Sequence, residues 1–230
     1  MFIRLRIDKN SNDMNLFATK VKDYFPKHGN PCIENFILLM ECILQTRTVC
    51  LYKCRDKVSR LKRINNGKCS ENSCYMRLIR FFKMKAIGEF IMGIQRLMFS
   101  ISATNLEYLI VDRSNWKRGK KSINLLTIGS LMNEAFIPFY WLQLNNKGGG
   151  SKLQERTALI EGIRYLAKRA GKSLQASILL ADREFIGQNW FEYLRSEKIS
   201  FVIRMKAKMY FELVAYKGKK NVAPCVRLTN

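Results

Sequence analysis

The sequence predicts an α/β protein with a mixed sheet, preceded by a small and mostly helical domain. In the first part of the chain, apolar residues recur three or four positions apart, which is typical of amphipathic helices. From residue 106 the pattern changes to short apolar runs typical of strands, and after residue 150 helical and strand-like segments alternate. That order places helices against a sheet. We therefore expect a helical, basic region over residues 1–105 and a sheet-containing core over residues 106–206.

The first region is expected to consist mainly of helices. Apolar residues at helical spacing begin at Pro31, and the segment that follows them, up to residue 63, is rich in basic residues. Asn65-Asn66-Gly67 breaks this pattern. A basic amphipathic helix is expected over Ser73–Ile87 and a further helix over Gly88–Phe99. The cations interleaved in the basic helix are Arg77, Arg80, Lys83 and Lys85.

The core is expected to follow the order β-β-β-α-β-α-β. Its first helix is capped by Ser151 and runs to about Ala170, and its second covers Ile186–Lys198. The expected strands are Leu106–Val111, Ile123–Leu131, Phe136–Leu144, Ala176–Ala181 and Ser200–Met205.

Positive charge is the unusual feature of the composition. The chain has 41 Lys and Arg against 18 Asp and Glu, a net charge of +23. The excess is 11 in residues 1–105 and 12 in residues 106–230, so it is spread along the whole length. The natural partner of such a chain is a long polyanion. Nucleic acid is the first candidate, and an anionic membrane surface is the second. The alternative is a generically basic protein with a solvated surface.

The remaining composition favours a cytoplasmic protein without a membrane span. No apolar run reaches the roughly 18–20 residues that a span needs. The seven cysteines fit reduced thiols better than a disulfide framework in a chain of this size. Cys50, Cys54, Cys69 and Cys74 form two close pairs that suggest a zinc site, but core cysteines fit this spacing better. His28 is the only histidine and is expected in a loop, which leaves little basis for histidine catalysis.

Two aspartates stand in equivalent positions at the ends of apolar strands. Asp112 follows Leu109-Ile110-Val111, and Asp182 follows Leu179-Leu180-Ala181. A carboxylate at the end of a buried strand needs a hydrogen bond, a paired charge or a metal. The carboxyl ends of strands in α/β sheets are also where ligands bind. The simpler interpretation is two turn-forming aspartates in salt bridges.

At these residues the chain resembles a known family. The segments 112–120 and 182–187 look like the first and second aspartate motifs of DDE-type bacterial insertion-sequence transposases. The subgroup is the one whose third motif is named for Tyr, Arg, Glu and Lys. The resemblance extends over about residues 30–206. Four further segments, which precede or lie between the two motifs, also carry it: Leu78-Ile79-Arg80-Phe81-Phe82, Ile123-Asn124-Leu125-Leu126, Ile137-Pro138-Phe139-Tyr140-Trp141 and Lys147-Gly148 through Glu155-Arg156.

The resemblance implies a ribonuclease H-like catalytic core that cleaves and joins DNA strands in transposition. Asp112 and Asp182 would be catalytic ligands for two Mg²⁺ or Mn²⁺ ions in the complete enzyme. Glu184 is a candidate for the third ligand, but a supporting role in a salt bridge is the favoured interpretation. Expected DNA contacts are Arg113, Lys117, Lys120 and Arg183, together with Arg77, Arg80, Lys83 and Lys85. The expected partner is double-stranded DNA, both transposon ends and target, with a homodimer as one arrangement on it.

The family's third motif is missing from these residues. It reads Tyr, two residues, Arg, three residues, Glu, six residues, Lys, and no tyrosine after Asp182 fits that spacing. Residues 207–230 are expected to begin the insertion that precedes this motif, so a C-terminally truncated enzyme, inactive alone, is expected. The alternatives are a DNA-binding remnant without catalysis and a ribonuclease H-like nuclease acting on other nucleic acids.

Overall fold

The computed structural model describes residue 19 and residues 21–25, 29–60, 70–102, 106–132, 134–145 and 150–205. It divides into two compact units, Met1–Leu97 and Met98–Asn230. None of the helices in this described part is long and apolar enough to cross a membrane.

The first unit is built from helices. They are α1 (Asn30–Thr46), α2 (Leu51–Arg60), α3 (Glu71–Phe82) and α4 (Ile87–Ser102), the last of which continues into the second unit. The stretch over residues 31–63 therefore holds two helices, because Arg47 adopts a left-handed conformation (φ 52°) and ends α1. The predicted basic helix is present, but it spans Glu71–Phe82, so its predicted end at Ile87 was wrong. Its start is fixed by the Ser70 hydroxyl, which accepts a hydrogen bond from the Ser73 backbone N–H.

Aromatic rings form the centre of this unit's core. Phe90 stacks on Phe25 with ring centroids 4.3 Å apart, and it meets Phe36 and Phe81 edge to face at 5.3 and 5.1 Å. Such offset and edge-on contacts stabilise beyond the burial of apolar area. Three cysteines, Cys42, Cys54 and Cys74, are fully buried in the same core.

The second unit is a five-stranded mixed sheet with helices, as predicted for the α/β class. The strands are β1 (Tyr108–Arg118), β2 (Lys121–Met132), β3 (Ala135–Gln143), β4 (Ile178–Ala181) and β5 (Ser200–Ile203). Helix α5 (Leu153–Arg169) joins β3 to β4, and α6 (Gln188–Ser196) joins β4 to β5. The spatial order is β3-β2-β1-β4-β5, in which β2 pairs antiparallel with both β1 and β3, β4 pairs parallel with β1, and β5 pairs parallel with β4.

The buried face of this sheet packs against α5. Leu126 and Ile128 of β2 and Leu159 and Ile163 of α5 are almost fully inaccessible and belong to one cluster. The apolar side of α5 is thus the side that covers the sheet.

Strand β1 is much longer than the predicted Leu106–Val111. It continues through Arg118, and every residue from Asp112 onward pairs with β2, ending in the pair Arg118–Lys121. The segment that carries the first aspartate motif is therefore one arm of a β-hairpin rather than a loop.

Candidate active site

The sheet register places Asp112 and Asp182 side by side. Parallel pairing of β1 with β4 runs from Tyr108–Ile178 to Val111–Ala181, and the next residue on each strand is the aspartate. Neighbouring strands lie roughly 4.8 Å apart, so the two carboxylates start from adjacent backbone positions. Both residues are exposed, at the carboxyl edge of the parallel part of the sheet.

Local hydrogen bonds orient both carboxylates without neutralising them. The Ser114 hydroxyl donates to Asp112 Oδ2 at 3.4 Å, and the Arg183 backbone N–H donates to Asp182 Oδ1 at 2.7 Å. The second contact caps a single 3-10 turn, Arg183–Phe185. Among the described residues neither aspartate takes part in a salt bridge. Each therefore keeps its charge available to a cation.

Arg113 and Glu184 form a bidentate ion pair next to these aspartates. Arg113 Nε donates to Glu184 Oε1 at 3.0 Å, and Nη2 donates to Oε2 at 2.9 Å. Their side chains are only 12% and 28% exposed. The hydrogen bond to Glu184 is the main cause that raises the pKa of Arg113 above its ordinary value. The Glu184 carboxylate is thus engaged in a salt bridge, and the Arg113 guanidinium is already paired with an anion.

Arg156 is a part of the site that the sequence analysis missed. From α5 its guanidinium donates to the Glu184 and Phe185 carbonyl oxygens at 3.1 and 3.2 Å and to the Ser151 hydroxyl at 2.9 Å. Burial lowers its pKa from the ordinary value, and the negative charge of Glu184 opposes that effect. The only signal was positional, because an arginine three residues after Leu153 and three before Leu159 lies on the buried stripe of α5.

The other predicted DNA contacts lie at several places. Arg183 is exposed beside Asp182, whereas Lys117 and Lys120 are exposed near the tip of the β1–β2 hairpin. In the first unit Arg80, Lys83 and Lys85 are exposed, and Arg77 is half-buried and donates to Asn35 Oδ1. Only Arg113 and Arg183 therefore adjoin the two aspartates in sequence and in the sheet.

The chain matched no family model, no curated protein and no solved structure.

The cysteines that suggested a zinc site are differently placed. Cys50 is exposed, Cys54 and Cys74 are fully buried, and Cys69 lies outside the described residues, as does His28. The Cys42 thiol donates to the Cys54 carbonyl oxygen at 3.2 Å. In the described part of the chain, no group of three or more His, Cys, Asp or Glu is arranged to hold a metal ion. The burial of Cys54 and Cys74 favours the interpretation as core residues.

The aspartate pair fits a hard divalent cation. Carboxylate oxygens are the donors that Mg²⁺ and Mn²⁺ prefer, and two adjacent unpaired carboxylates repel each other unless a cation lies between them. Glu184 lies two residues from Asp182, but its carboxylate is turned to Arg113. The described residues therefore offer two ligands for an ion, with a buried cationic support behind them.

Proposed function

We propose that the chain acts on DNA as a transposase-type protein with a ribonuclease H-like core, in which Asp112 and Asp182 hold a divalent ion at the scissile phosphate. The observation that carries this proposal is the pair of exposed aspartates at adjacent positions, just after the parallel pairing of β1 with β4 ends. The element order β-β-β-α-β-α-β and the resemblance of both aspartate segments to the transposase motifs support it.

Each part of the site has a role in this proposal. A divalent ion would supply Lewis-acid stabilisation to the attacking and leaving oxygens of a phosphoryl transfer. Asp112 and Asp182 would bind it through their free carboxylate oxygens. The exposed Arg183 is positioned to contact a phosphate oxygen, since guanidinium groups bind phosphates in a bidentate manner. The Arg113–Glu184 pair and Arg156 keep β1 and the turn after Asp182 in a fixed relation.

A second candidate function is DNA binding without catalysis. The observation that favours it is the engagement of the Glu184 carboxylate with Arg113, which withdraws that carboxylate from a metal ion. Loss of one metal ligand from such a site lowers the reaction rate by several orders of magnitude, because each 1.4 kcal/mol or so of lost transition-state stabilisation slows the reaction about tenfold. Metal-dependent nicking of a duplex by the purified chain would favour the catalytic candidate over this one.

The metal site is tested by thermal unfolding with and without Mg²⁺ or Mn²⁺. We expect the ion to raise the melting temperature, because a ligand that binds only the folded state stabilises it by mass action, about 2.7 kcal/mol at a hundred times its Kd. Asp112→Asn and Asp182→Asn should each abolish this shift. Glu192→Gln, an exposed acid of α6, is the matched control and should keep it.

The comparison uses the metal-induced shift rather than the melting temperature itself. Removing one of two adjacent negative charges can stabilise the metal-free fold, which leaves the shift as the relevant quantity. A full shift in both aspartate variants would mean that these residues are structural and that the proposed site is wrong.

A further inference from the structure

The β1–β2 hairpin extends past the strands that flank it. Pairing of β1 with β4 ends at Val111–Ala181, and the ladder between β2 and β3 begins at Leu125–Gln143. Among the described residues, 115–118 and 121–123 therefore pair only with each other in the sheet, while the Asn124 carbonyl oxygen also accepts a hydrogen bond from the Leu144 backbone N–H at 2.8 Å. This outer part of the hairpin carries Trp116, whose side chain is exposed although it is one of only three tryptophans.

Trp116 is 47% exposed, slightly more than Tyr108 of the same strand at 42%. The two other tryptophans are better covered: Trp190 is buried and Trp141 is half-buried. No described ring or guanidinium stacks on Trp116. An exposed, uncovered indole on a protruding hairpin is a platform on which a flat ligand can stack.

The hairpin that carries this indole is strongly basic, with Lys117 on the face of β1 opposite to Trp116. Between Asp112 and Glu134 the sequence has five basic residues and no acidic one. Lys117, Lys120 and Lys121 line a depression of about 480 Å³ at the hairpin end, together with Ser122, Gln143 and Asn145. Three ammonium groups and three neutral hydrogen-bonding side chains suit phosphate oxygens.

The hairpin also aligns Trp116 with the aspartate pair. Asp112, Ser114 and Trp116 are alternate residues of one strand, so their side chains lie on the same face. Four residues of strand span roughly 13 Å. That length corresponds to about four stacked nucleotides along one strand, at 3.4 Å each. A nucleic-acid strand with a phosphate at Asp112 can therefore reach Trp116 within a few nucleotides.

We propose that Trp116 is a base-stacking residue that binds an unpaired DNA strand beside the aspartate pair, with the positive charge of the hairpin end attracting its phosphates. The proposal rests on the proposed function, since it extends the DNA site by a few nucleotides. An unpaired strand fits better than a duplex, because the base faces that stack on an aromatic ring are covered in a duplex. An acidic protein segment would use the lysines but would leave the indole without a matching partner.

The test compares two DNA ligands with the same duplex, one blunt and one with a single-stranded overhang of about eight nucleotides. Binding of the full 230-residue chain is measured by fluorescence anisotropy. We expect Trp116→Ala to weaken binding of the overhang ligand about tenfold, since base stacking on an aromatic contributes about 1–3 kcal/mol. Binding of the blunt duplex should change little, and Trp116→Phe should restore most of the affinity.

Two controls separate stacking from a general effect. Tyr165→Ala removes an equally exposed aromatic ring (45%) from α5 and should leave both affinities unchanged. The dependence of the overhang affinity on salt should be the same in Trp116→Ala as in the wild type, because stacking neutralises no phosphate.

The outcomes distinguish this inference from the proposed function. Equal affinities of wild type and Trp116→Ala for the overhang, or an equal loss on both ligands, would overturn the stacking role while leaving DNA binding intact. Failure of the wild-type chain to bind either ligand would overturn both. Competition by polyglutamate that depends on Trp116 would also overturn the inference, in favour of an acidic protein partner.

Discussion

At the scale of single residues, Glu184 connects three elements of the second unit. Its carboxylate binds Arg113 of β1, while its backbone carbonyl accepts a hydrogen bond from Arg156 of α5. Glu184 itself belongs to the turn that follows Asp182. The positions of both aspartates therefore depend on a carboxylate that was considered as a metal ligand and that serves here as a link between strands and helix.

The strength of this link is measured by a double-mutant cycle. We expect Arg113→Ala and Glu184→Ala to be strongly coupled, by about 1–3 kcal/mol in the free energy of unfolding, because the pair is bidentate and mostly shielded from water. Each single variant leaves a shielded charge without its partner. Urea unfolding of the two single variants and the double variant gives the coupling energy directly.

The control cycle uses the Glu161–Arg164 pair of α5, at 3.1 Å and three residues apart. Its carboxylate is 63% exposed, so the coupling should be about 0.5 kcal/mol or less. Equal coupling in both cycles would contradict a special role for the Arg113–Glu184 link.

The two aspartates were predictable from the sequence, whereas their supports were not. Asp112 and Asp182 each follow an uninterrupted apolar run, and a charge at that point is conspicuous. Arg156 is the opposite case, since an arginine in a helix is usually taken as a surface residue and its burial depends on a turn 28 residues away. The only local pattern that such long-range pairing leaves is the position of Arg156 on the apolar stripe of α5.

At the scale of elements, the strand boundaries show where local propensity fails. Asp112, Ser114 and Asn115 are poor strand formers, and so only Leu106–Val111 was predicted as a strand. In the structure β1 continues because each of these residues has a partner on β2. The helices α5 and α6 were predicted within a few residues, since apolar periodicity is a local signal, although the N-cap of α5 is Lys152 rather than the predicted Ser151.

The bulge between β2 and β3 provides a test of this part of the sheet. The register shifts between Ile128 and Gly129, and a Cβ atom at Gly129 would overlap the backbone carbonyl oxygen of Ile137. We expect Gly129→Ala to destabilise the fold by about 1–3 kcal/mol. The clashing atom belongs to the hydrogen-bonded backbone of β3, which cannot move aside as a flexible side chain could. Thermal or urea unfolding measures the change.

Gly88→Ala in α4 is the matched control, because nothing lies within 4 Å of the added methyl group. It should be neutral or stabilising by up to about 1 kcal/mol, the helix propensity of alanine over glycine. A Gly129→Ala variant as stable as Gly88→Ala would mean that the close approach of β2 and β3 is not a feature of the folded protein.

At the scale of the whole molecule, both units are basic to the same degree. The excess of basic over acidic residues is 11 in the first unit and 12 in the second. Like charges of this size repel each other within a compact unit, and a polyanion that contacts both units relieves the repulsion. The prediction of a polyanionic partner rests on composition alone, whereas which side chains could contact phosphates depends on exposure, which the sequence does not give.

The polyanion prediction is tested by the salt dependence of duplex DNA binding. We expect the logarithm of the association constant to fall linearly with the logarithm of the salt concentration, by about 0.9 for each phosphate neutralised. The double charge reversal Arg80→Glu with Lys83→Glu, both exposed in or beside α3, should weaken binding and reduce the slope by about 2. The reversal of Lys168 and Arg169 at the end of α5 changes the net charge equally and should have the smaller effect. Equal losses in the two variants would mean that the total charge, rather than the basic helix, attracts DNA. An affinity independent of salt would contradict phosphate contacts altogether.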